Sequence, residues 1–391
     1  MRNCLRNLAF VEYGKSPNEV RDLNGIYPIY GTGGLVGTSN RFLFDQDAIV
    51  VARKGTLDNP TYVEGKYWII DTAYATIPRD NVDAKWLYYC LSDFDLRKLN
   101  EATGVPSISR DYLYRIEFYT PDLPKQQKIA KILTTVDNLI EQTQALIDKY
   151  TAIKQGMMAD LFTRGIDLSG TPETNPNHGQ LRPSFEEAPE LYKETELGWV
   201  PRGWEVESLG EIAEFWSGYA FKNQELSEHG MKAVRISNLH KPDFPYWHYD
   251  GPIKNTWVVE CGDLLFSWAG VASSIDAYIY HGERALLNQH IYNFRIESET
   301  LKIHTYNYLQ FVLPKLREEI EGGAGQLHLT KGKIQSISIP KPQLVELEKI
   351  VLTSKSIGQK IEKEIDYQKV LAEMKKGLMQ DLLTGKVQVT A

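Results

Sequence analysis

The sequence predicts an α/β (α+β) protein in which two globular domains alternate with two long, antiparallel coiled-coil helices, the second half repeating the first about a pseudo-twofold axis. Three observations carry this prediction. Between Pro121 and Gly165, Ile129, Ile132, Val136, Leu139, Thr143, Leu146, Tyr150, Ile153 and Met157 recur in alternating steps of three and four, the a/d seam of a coiled-coil helix. At a constant offset of 221 residues the pattern returns, with Ile350, Ile357, Leu371, Met374 and Leu378 on its seam. Each helical stretch also follows a segment of short apolar runs broken by Gly, Asn and Asp turns, the pattern of a mixed domain.

Residues 1–120 form the first such domain, with strands at Ala48 to Ala52 and Trp68 to Ile70 and a helix from Trp86 to Leu99. The helical stretch 121–165 follows, uninterrupted by Pro or Gly between Pro124 and Gly156. Residues 166–200 read as an acidic, Pro-rich linker and the lead-in to the second domain, which spans 201–340. The second long helix and a tail occupy 341–391. Near the helix ends Lys154, Gly156, Met158, Asp160, Leu161 and Thr163 correspond identically to Lys375, Gly377, Met379, Asp381, Leu382 and Thr384, which marks a duplicated unit. Two equivalent helices in one chain bury their seams against each other without a second molecule. The second copy is less regular, with Thr353, Lys360 and Glu364 on seam positions and Ile361 and Ile365 beside them, so a local shift in packing is expected.

The domains share landmarks in the same order. Leu5 to Ala9 parallels Leu209 to Ala213, Gly14 stands opposite Gly218, and Ile49 to Gly55 parallels Leu264 to Gly270. Ala102 to Ser109 (ATGVPSIS) sits opposite Gly323 to Thr330 (GAGQLHLT). Frames agree while loop contents differ, the pattern of two related readers of different ligands.

Composition narrows the classes. No apolar run is long enough to span a bilayer and MRNCLRNLAF lacks a signal peptide's apolar core, so a cytoplasmic protein is expected. Cys4, Cys90 and Cys261 are far apart and the His residues scattered, which offers no metal site. Net charge is −7, yet residues 166–200 hold two bases against seven acids, so most of the excess lies in the linker and a local basic face is compatible with the total.

Catalytic signatures are weak. Asn59-Pro60-Thr61-Tyr62 is one residue from the NPPY of N6-adenine methyltransferases, but no Gly-rich loop with an acidic ribose ligand accompanies it, and it reads as a turn. Tyr30-Gly31-Thr32-Gly33-Gly34 opens no helix and reads as a tight loop rather than a phosphate cradle. No GxxxxGK[ST] occurs; Pro121-Asp122 and Pro242-Asp243 lack a nearby ExK, and Glu373-x-Lys375 reads as a solvated helix face. The chain reads as a binder.

Its candidate contacts are polar loop residues at equivalent places in both halves. In the first they are Lys15, Ser16, Thr32, Arg41, Arg53, Lys54, Ser107, Ser109 and Arg110. In the second they are Ser217, Tyr219, Lys222, Arg235, Asn238, His240, Gln289, His290, Gln326, His328, Lys331 and Lys333. Arg and Lys contact guanine edges or phosphates, and Ser or Thr serve either purpose. Six of the eight Trp residues fall between Trp199 and Trp268, a density that core packing or base stacking would both explain.

The order domain, long helix, domain, long helix, with each helix ending in K-x-G-[ML]-M-x-D-L-[FL]-T, resembles the specificity subunit of type I restriction-modification systems. Leu197 to Glu205 (LGWVPRGWE) is similar to that family's lead-in to a target recognition domain. The first half starts at Cys4-Leu5 without that lead-in; two readings stay open, a short N-terminus or, as the family's circular arrangement implies, the tail Val387-Gln388-Val389 completing that edge. The resemblance implies a subunit without a catalytic centre that reads a two-part asymmetric site on double-stranded DNA, one part per domain. It implies two methyltransferase subunits docked around the helices and restriction subunits recruited to the assembly. S-adenosylmethionine, ATP and Mg would belong to those partners, with no cofactor in this chain. From the residues alone, a coiled-coil scaffold that binds no DNA and a standalone methyltransferase stay open as rivals.

Overall fold

The computed structural model describes residues 1–321 and 329–390, and side chains within these except at 319–321. It divides into two compact units, Met1–Ile147 with Glu364–Ala391, and Asp148–Lys363. Both long helices, Leu123–Thr163 and Leu344–Leu382, are therefore shared between units.

In the first unit, strands Ala9–Tyr13, Ala73–Pro78, Ala48–Ala52 and Thr61–Val63 form one antiparallel sheet in that spatial order. A second sheet runs Gly34–Ser39, Tyr27–Gly31, Lys66–Ile69, Phe44–Asp45, and its middle pair is parallel. Arg2–Cys4 pairs antiparallel with Glu117–Tyr119. The run Ala48-Ile49-Val50-Val51-Ala52 is buried throughout because both faces are covered. Ile49 and Val51 pack with Trp86 and Leu87 of helix Ala84–Asp93, whereas Ala48 and Val50 pack with Tyr67 and Ile69 of the second sheet, the two-residue period of a strand.

The second unit repeats this strand for strand. Glu214–Ser217, Ile291–Arg295, Leu264–Ser267 and Asp276–Ile279 make one sheet. Trp247–Tyr249, Met231–Val234, Ala285–Leu287 and Val258–Val259 make another, again with a parallel middle pair, and Glu205–Ser208 joins Ser338–Lys341. Leu264 and Phe266 face one core while Leu265 faces the other. The duplication in sequence is a duplication of sheet topology.

Within each unit the long helices run antiparallel. In the first, Lys128 Nζ donates to the Thr390 carbonyl at 2.7 Å, Lys375 Nζ meets Asp137 Oδ1 at 2.6 Å, and Gln368 Nε2 donates to Gln144 Oε1 at 2.9 Å. Partner numbers fall as those of the first helix rise. In the second unit Leu161 and Ile350 share a core, and Ile166 N donates to Glu346 Oε1 at 2.8 Å.

The seam departs from the sequence expectation at alternate positions. Ile129, Val136 and Thr143 are buried as expected, with Tyr150 and Met157 partly so, but Leu146 and Ile153 are 38% and 45% exposed. Leu133 is buried, and Ile140, Ile147 and Lys154 are more covered than an exposed face would be. Ile132 and Leu139 lie beside this line, partly buried. The equivalent line on the second helix is Ile350, Ser354, Ile357, Ile361, Glu364, Gln368, Leu371, Lys375 and Leu378, leaving Met374 45% exposed. Adjacent apolar pairs, Ile132-Leu133, Leu139-Ile140 and Leu146-Ile147, make either phase consistent with the sequence, and packing on the domain core decides it: Leu133 joins Trp86 and Leu87. Lys375 is thus no solvated residue, but lies on the seam against Asp137 and 5.6 Å from the Tyr89 ring centroid.

Three further expectations are revised. The helix expected to Leu99 stops at Asp93, because the Asp95 carboxylate accepts from Arg97 N and opens a separate turn at Leu96–Leu99. The linker is folded: Tyr192–Thr195 pairs with Gly198–Pro201, and Arg182 grips both oxygens of buried Glu346, which also accepts from Trp204 Nε1 at 3.0 Å. The tail adds no strand to the Arg2–Cys4 edge; Val389 packs on the first core instead. All three cysteines are free thiols. No helix among the described residues is long and apolar enough to cross a membrane, and none of these residues form a metal-holding cluster of His, Cys, Asp or Glu.

Candidate nucleic-acid interface

In the first domain the ends of three strands and one loop converge on a corner. Gly14 ends the strand Ala9–Tyr13, and a Cβ there would lie 2.1 Å from the Ile70 carbonyl oxygen, so only Gly lets the two segments approach. Lys15 N donates to the Ile69 carbonyl at 2.9 Å, which fixes its exposed side chain and that of Ser16 beside the start of the strand Ala73–Pro78. Arg53 and Lys54 follow the buried strand Ala48–Ala52, and both backbone N–H groups donate to the Thr72 carbonyl. Gly55, at φ +99°, turns the chain into contact with Thr32, and its N–H donates to the Pro106 carbonyl at 2.9 Å. Ser107 bridges to Lys54, Ile108 N donates to the Arg53 carbonyl, and Ser109 precedes the short helix Arg110–Arg115.

The focus of the corner is Tyr13, which the sequence-derived set lacks. The residue is 46% exposed, and the guanidinium carbons of Arg110 and Arg53 lie over its ring at 5.1 Å and 5.8 Å. Tyr74 meets it edge-on at 5.1 Å and donates its hydroxyl to the Ile108 carbonyl at 3.1 Å. Burial, and then the neighbouring Tyr13, push the Tyr74 phenol up to about 12, so it stays a neutral donor. Strand alternation puts Tyr13 on the same face as buried Ala9 and Val11, and the ring is exposed because the strand ends there at the tight Gly14 turn. Of the first-domain candidates, Arg41 alone lies apart: its carbonyl accepts from Ser39 Oγ at 2.7 Å, at the far end of the Tyr27–Gly31 and Gly34–Ser39 hairpin from Thr32.

The second domain builds its corner on the same frame with other side chains. A Cβ on Gly218 would lie 2.2 Å from the Leu287 carbonyl oxygen, and Gly270 has φ +110°, matching Gly14 and Gly55. Ser217 stands where Tyr13 does in the first domain, and Trp268 follows its buried strand where Arg53 does. Tyr219 N donates to the Leu287 carbonyl and its carbonyl accepts from Gln289 N, so Tyr219, Gln289 and His290 are neighbours. Gln289 Nε2 lies 3.2 Å from His290 Nε2, and the His290 ring meets Trp268 at 5.3 Å. The Tyr219 ring stacks on Trp257 at 4.2 Å and its hydroxyl donates to Glu225 at 3.0 Å, while Lys222 N donates to the same carboxylate at 2.9 Å.

Other second-domain candidates are engaged elsewhere. Arg235 lies 4.4 Å from the Trp247 ring and donates to the Pro245 carbonyl; burial lowers its pKa. Asn238 is 3% exposed, its carboxamide holding Arg235 N and the Phe244 carbonyl, so it shapes the loop from inside. His240 Nε2 sits 3.2 Å from the Tyr278 hydroxyl. Lys331 reaches over Phe215 at 5.8 Å, and Lys333 lies in the helix Lys331–Gln335 that Thr330 caps. Gln326 and His328 fall outside the described residues. The tryptophans disperse: Trp204 is buried, Trp216 lies under Arg295, and Trp199 stacks on Phe185. The NPTY segment enters the strand Thr61–Val63, where the Tyr62 hydroxyl donates to Asp47 Oδ2 at 2.8 Å.

The profile described as "Type I restriction modification DNA specificity domain" matches residues 4–150 and again 201–368, one match per domain. The chain belongs to the type I specificity-subunit family. Among specificity subunits of Methanocaldococcus jannaschii, that of the type I restriction enzyme MjaVIII is 26% identical over 410 residues, covering 97% of this chain and 91% of the relative. The putative MjaX specificity subunit is 26% identical over 324 residues, 80% and 70% of the two chains. The crystal structure of a type I system S subunit from M. genitalium aligns with a TM-score of 0.64 at 16% identity, over 100% of this chain and 96% of that one, a likeness of fold. Both matched segments of this specificity subunit run from a domain into a long helix, so the family repeat and the structural repeat coincide.

Proposed function

We propose that this specificity subunit reads a bipartite, asymmetric site on double-stranded DNA, one half-site per domain, and docks two methyltransferase subunits and the restriction subunits of its complex. The observation that carries the reading is the pair of corners: one frame, held by Gly14 and Gly55 in one domain and Gly218 and Gly270 in the other, presenting different polar side chains. Duplicated readers on a shared frame suit two half-sites, and unlike loops suit unlike sequences. The subunit contributes no catalysis in this reading; S-adenosylmethionine, ATP and Mg act in its partners, and the complex works on DNA in the cytoplasm.

A scaffold that binds no DNA is the second reading, favoured by the net charge of −7. Mapping methylated sites in cells decides between them. Exchange of residues 201–340 for another family member's segment should change one half of the methylated site and keep the other; both halves changing, or neither, overturns the modular reading. Purified with its methyltransferase, the complex should lose DNA affinity steeply as salt rises, and Lys54→Ala should weaken specific and random DNA alike. Salt-independent behaviour would support the scaffold.

A further inference from the structure

We infer that the two domains read chemically different half-sites: the first takes guanine through the major-groove edge, using Arg53 and Arg110, and the second reads its half-site without an arginine-guanine pair. The inference rests on the DNA-reading proposal above and adds the base chemistry to it.

The ground for it is how each arginine is spent. A guanidinium reads guanine because its planar fork donates two parallel bonds to O6 and N7, and a guanidinium already gripping a carboxylate has no such fork to offer. In the second domain no arginine stands at the positions that match Arg53 and Arg110, and each one present has a partner elsewhere. Arg295 pairs with Asp263 at 2.9 Å, Arg317 with Asp276 at 3.0 Å and Arg284 with Glu260 at 2.8 Å. Arg202 Nε donates to the Glu190 carbonyl at 2.6 Å, and Arg235 donates to the Pro245 carbonyl under Trp247.

The first-domain corner is the reverse. Neither Arg53 nor Arg110 has a carboxylate partner among the described residues; their shared contact is the face of Tyr13. That ring orients both guanidinium groups without occupying their terminal N–H donors. Arg53 Nε is buried without a hydrogen-bond acceptor, so the side chain is anchored along its stem and delivers only its outer nitrogens. At the matching places the second domain has Trp268 for Arg53, Ser217 for Tyr13 and Lys331 for Arg110, a point charge over the Phe215 ring at 5.8 Å that lacks the planar fork, beside Gln289 and His290. An amide, an imidazole and a hydroxyl favour adenine and mixed contacts over the bidentate guanine pair.

The test uses the full methyltransferase complex and the wild-type chain. Methylated sites are first mapped in the host, and the half-site belonging to the first domain is assigned by exchange of residues 201–340. Binding is then measured on duplexes in which each guanine in turn is replaced by 7-deazaguanine, which keeps O6 and pairing but has C–H in place of N7. At least one replacement in the first half-site should weaken binding by about 5- to 150-fold, the range of one bidentate pair, and replacements in the second should stay under about twofold. Arg53→Ala or Arg110→Ala should abolish the sensitivity at one guanine.

A first half-site without a required guanine, equal losses in both half-sites, or losses confined to the second would overturn the inference while leaving modular DNA reading intact. Loss of modularity in the exchange itself would instead remove the proposal on which it rests. Since the deaza substitutions are made in the DNA, a misfolded variant does not obscure the result.

Discussion

Gly14 and Gly218 occupy the same turn in the two domains, each pressed against a backbone carbonyl, yet the residue before one is Tyr13 and before the other Ser217. Likewise the buried strands Ala48–Ala52 and Leu264–Ser267 pack both faces in the same alternation, and then release Arg53-Lys54 in one case and Trp268-Ala269 in the other. What the pair teaches is where the two kinds of constraint lie. Backbone proximity and strand burial hold the frame, and they end within one residue of the positions that differ. Side chains at the corner are therefore exchangeable without disturbing the fold beneath.

The most damaging way to separate the halves is through Glu346. It is 6% exposed and serves Arg182, Trp204 and Ile166 at once, whereas the position 221 residues earlier is Lys125, in a surface pair with Asp122. Glu346→Ala strands a buried guanidinium and two N–H donors, and should cost the second unit about 3–5 kcal/mol in urea unfolding. Lys125→Ala should leave the first unit's midpoint in place.

Next comes acid. His304 is fully buried, its Nε2 2.7 Å from the Pro340 carbonyl, and burial depresses its pKa to about 4. The unfolded chain takes up this proton near its ordinary value of about 6.5, before the folded protein does. Stability from this site is therefore complete above about 6.5 and drains as pH falls towards 4, by about 3 kcal/mol in total. Unfolding followed by hydrogen exchange at pH 7 and 4.5 should show the loss in the second unit, and His304→Phe should flatten it.

Substitution of the turn glycines probes what the halves share. Gly14→Ala and Gly218→Ala both drive a Cβ into a carbonyl, and each should destabilise its own unit by about 1–3 kcal/mol. Equal costs would support the equivalence of the frames; a neutral result at either would break it. The smallest effect is expected of Leu146→Gln, on a side chain 38% exposed, which should cost under about 0.5 kcal/mol, whereas the same helix's fully buried Leu133→Ala should cost about 2–5 kcal/mol.

Sequence alone carried the architecture because duplication is visible wherever the same residues must recur: the helix-end motif, the two turn glycines, the buried strand. It placed the alternate seam positions one residue away, since Leu139-Ile140 and Leu146-Ile147 satisfy either phase and only the core contact of Leu133 selects one. At the corners, Arg53, Lys54, Ser107, Ser109 and Arg110 were legible as loop polars and do converge. Arg235 and Asn238 were equally polar in the sequence, but burial against Trp247 and Phe244 turned them inward. Nothing local distinguishes a polar residue that holds a loop from one that the loop displays. Tyr13 was missed for the complementary reason, an aromatic in a strand reading as core.

The first core contains Leu382 and Leu383, with Val389 packed against it, so a domain whose strands start at Arg2 is completed only by residues some 260 positions beyond its own end at about 120. Residues 148–363 need no such late arrival. Synthesis therefore reverses the usual order in which a nascent chain finishes its domains from the N-terminus: the second unit closes while the first core still lacks Leu382, Leu383 and Val389. A chain stopped at Gln380 should accordingly show a protease-resistant second unit and a labile first one; equal resistance of both would show that the first domain closes without its final turn of helix.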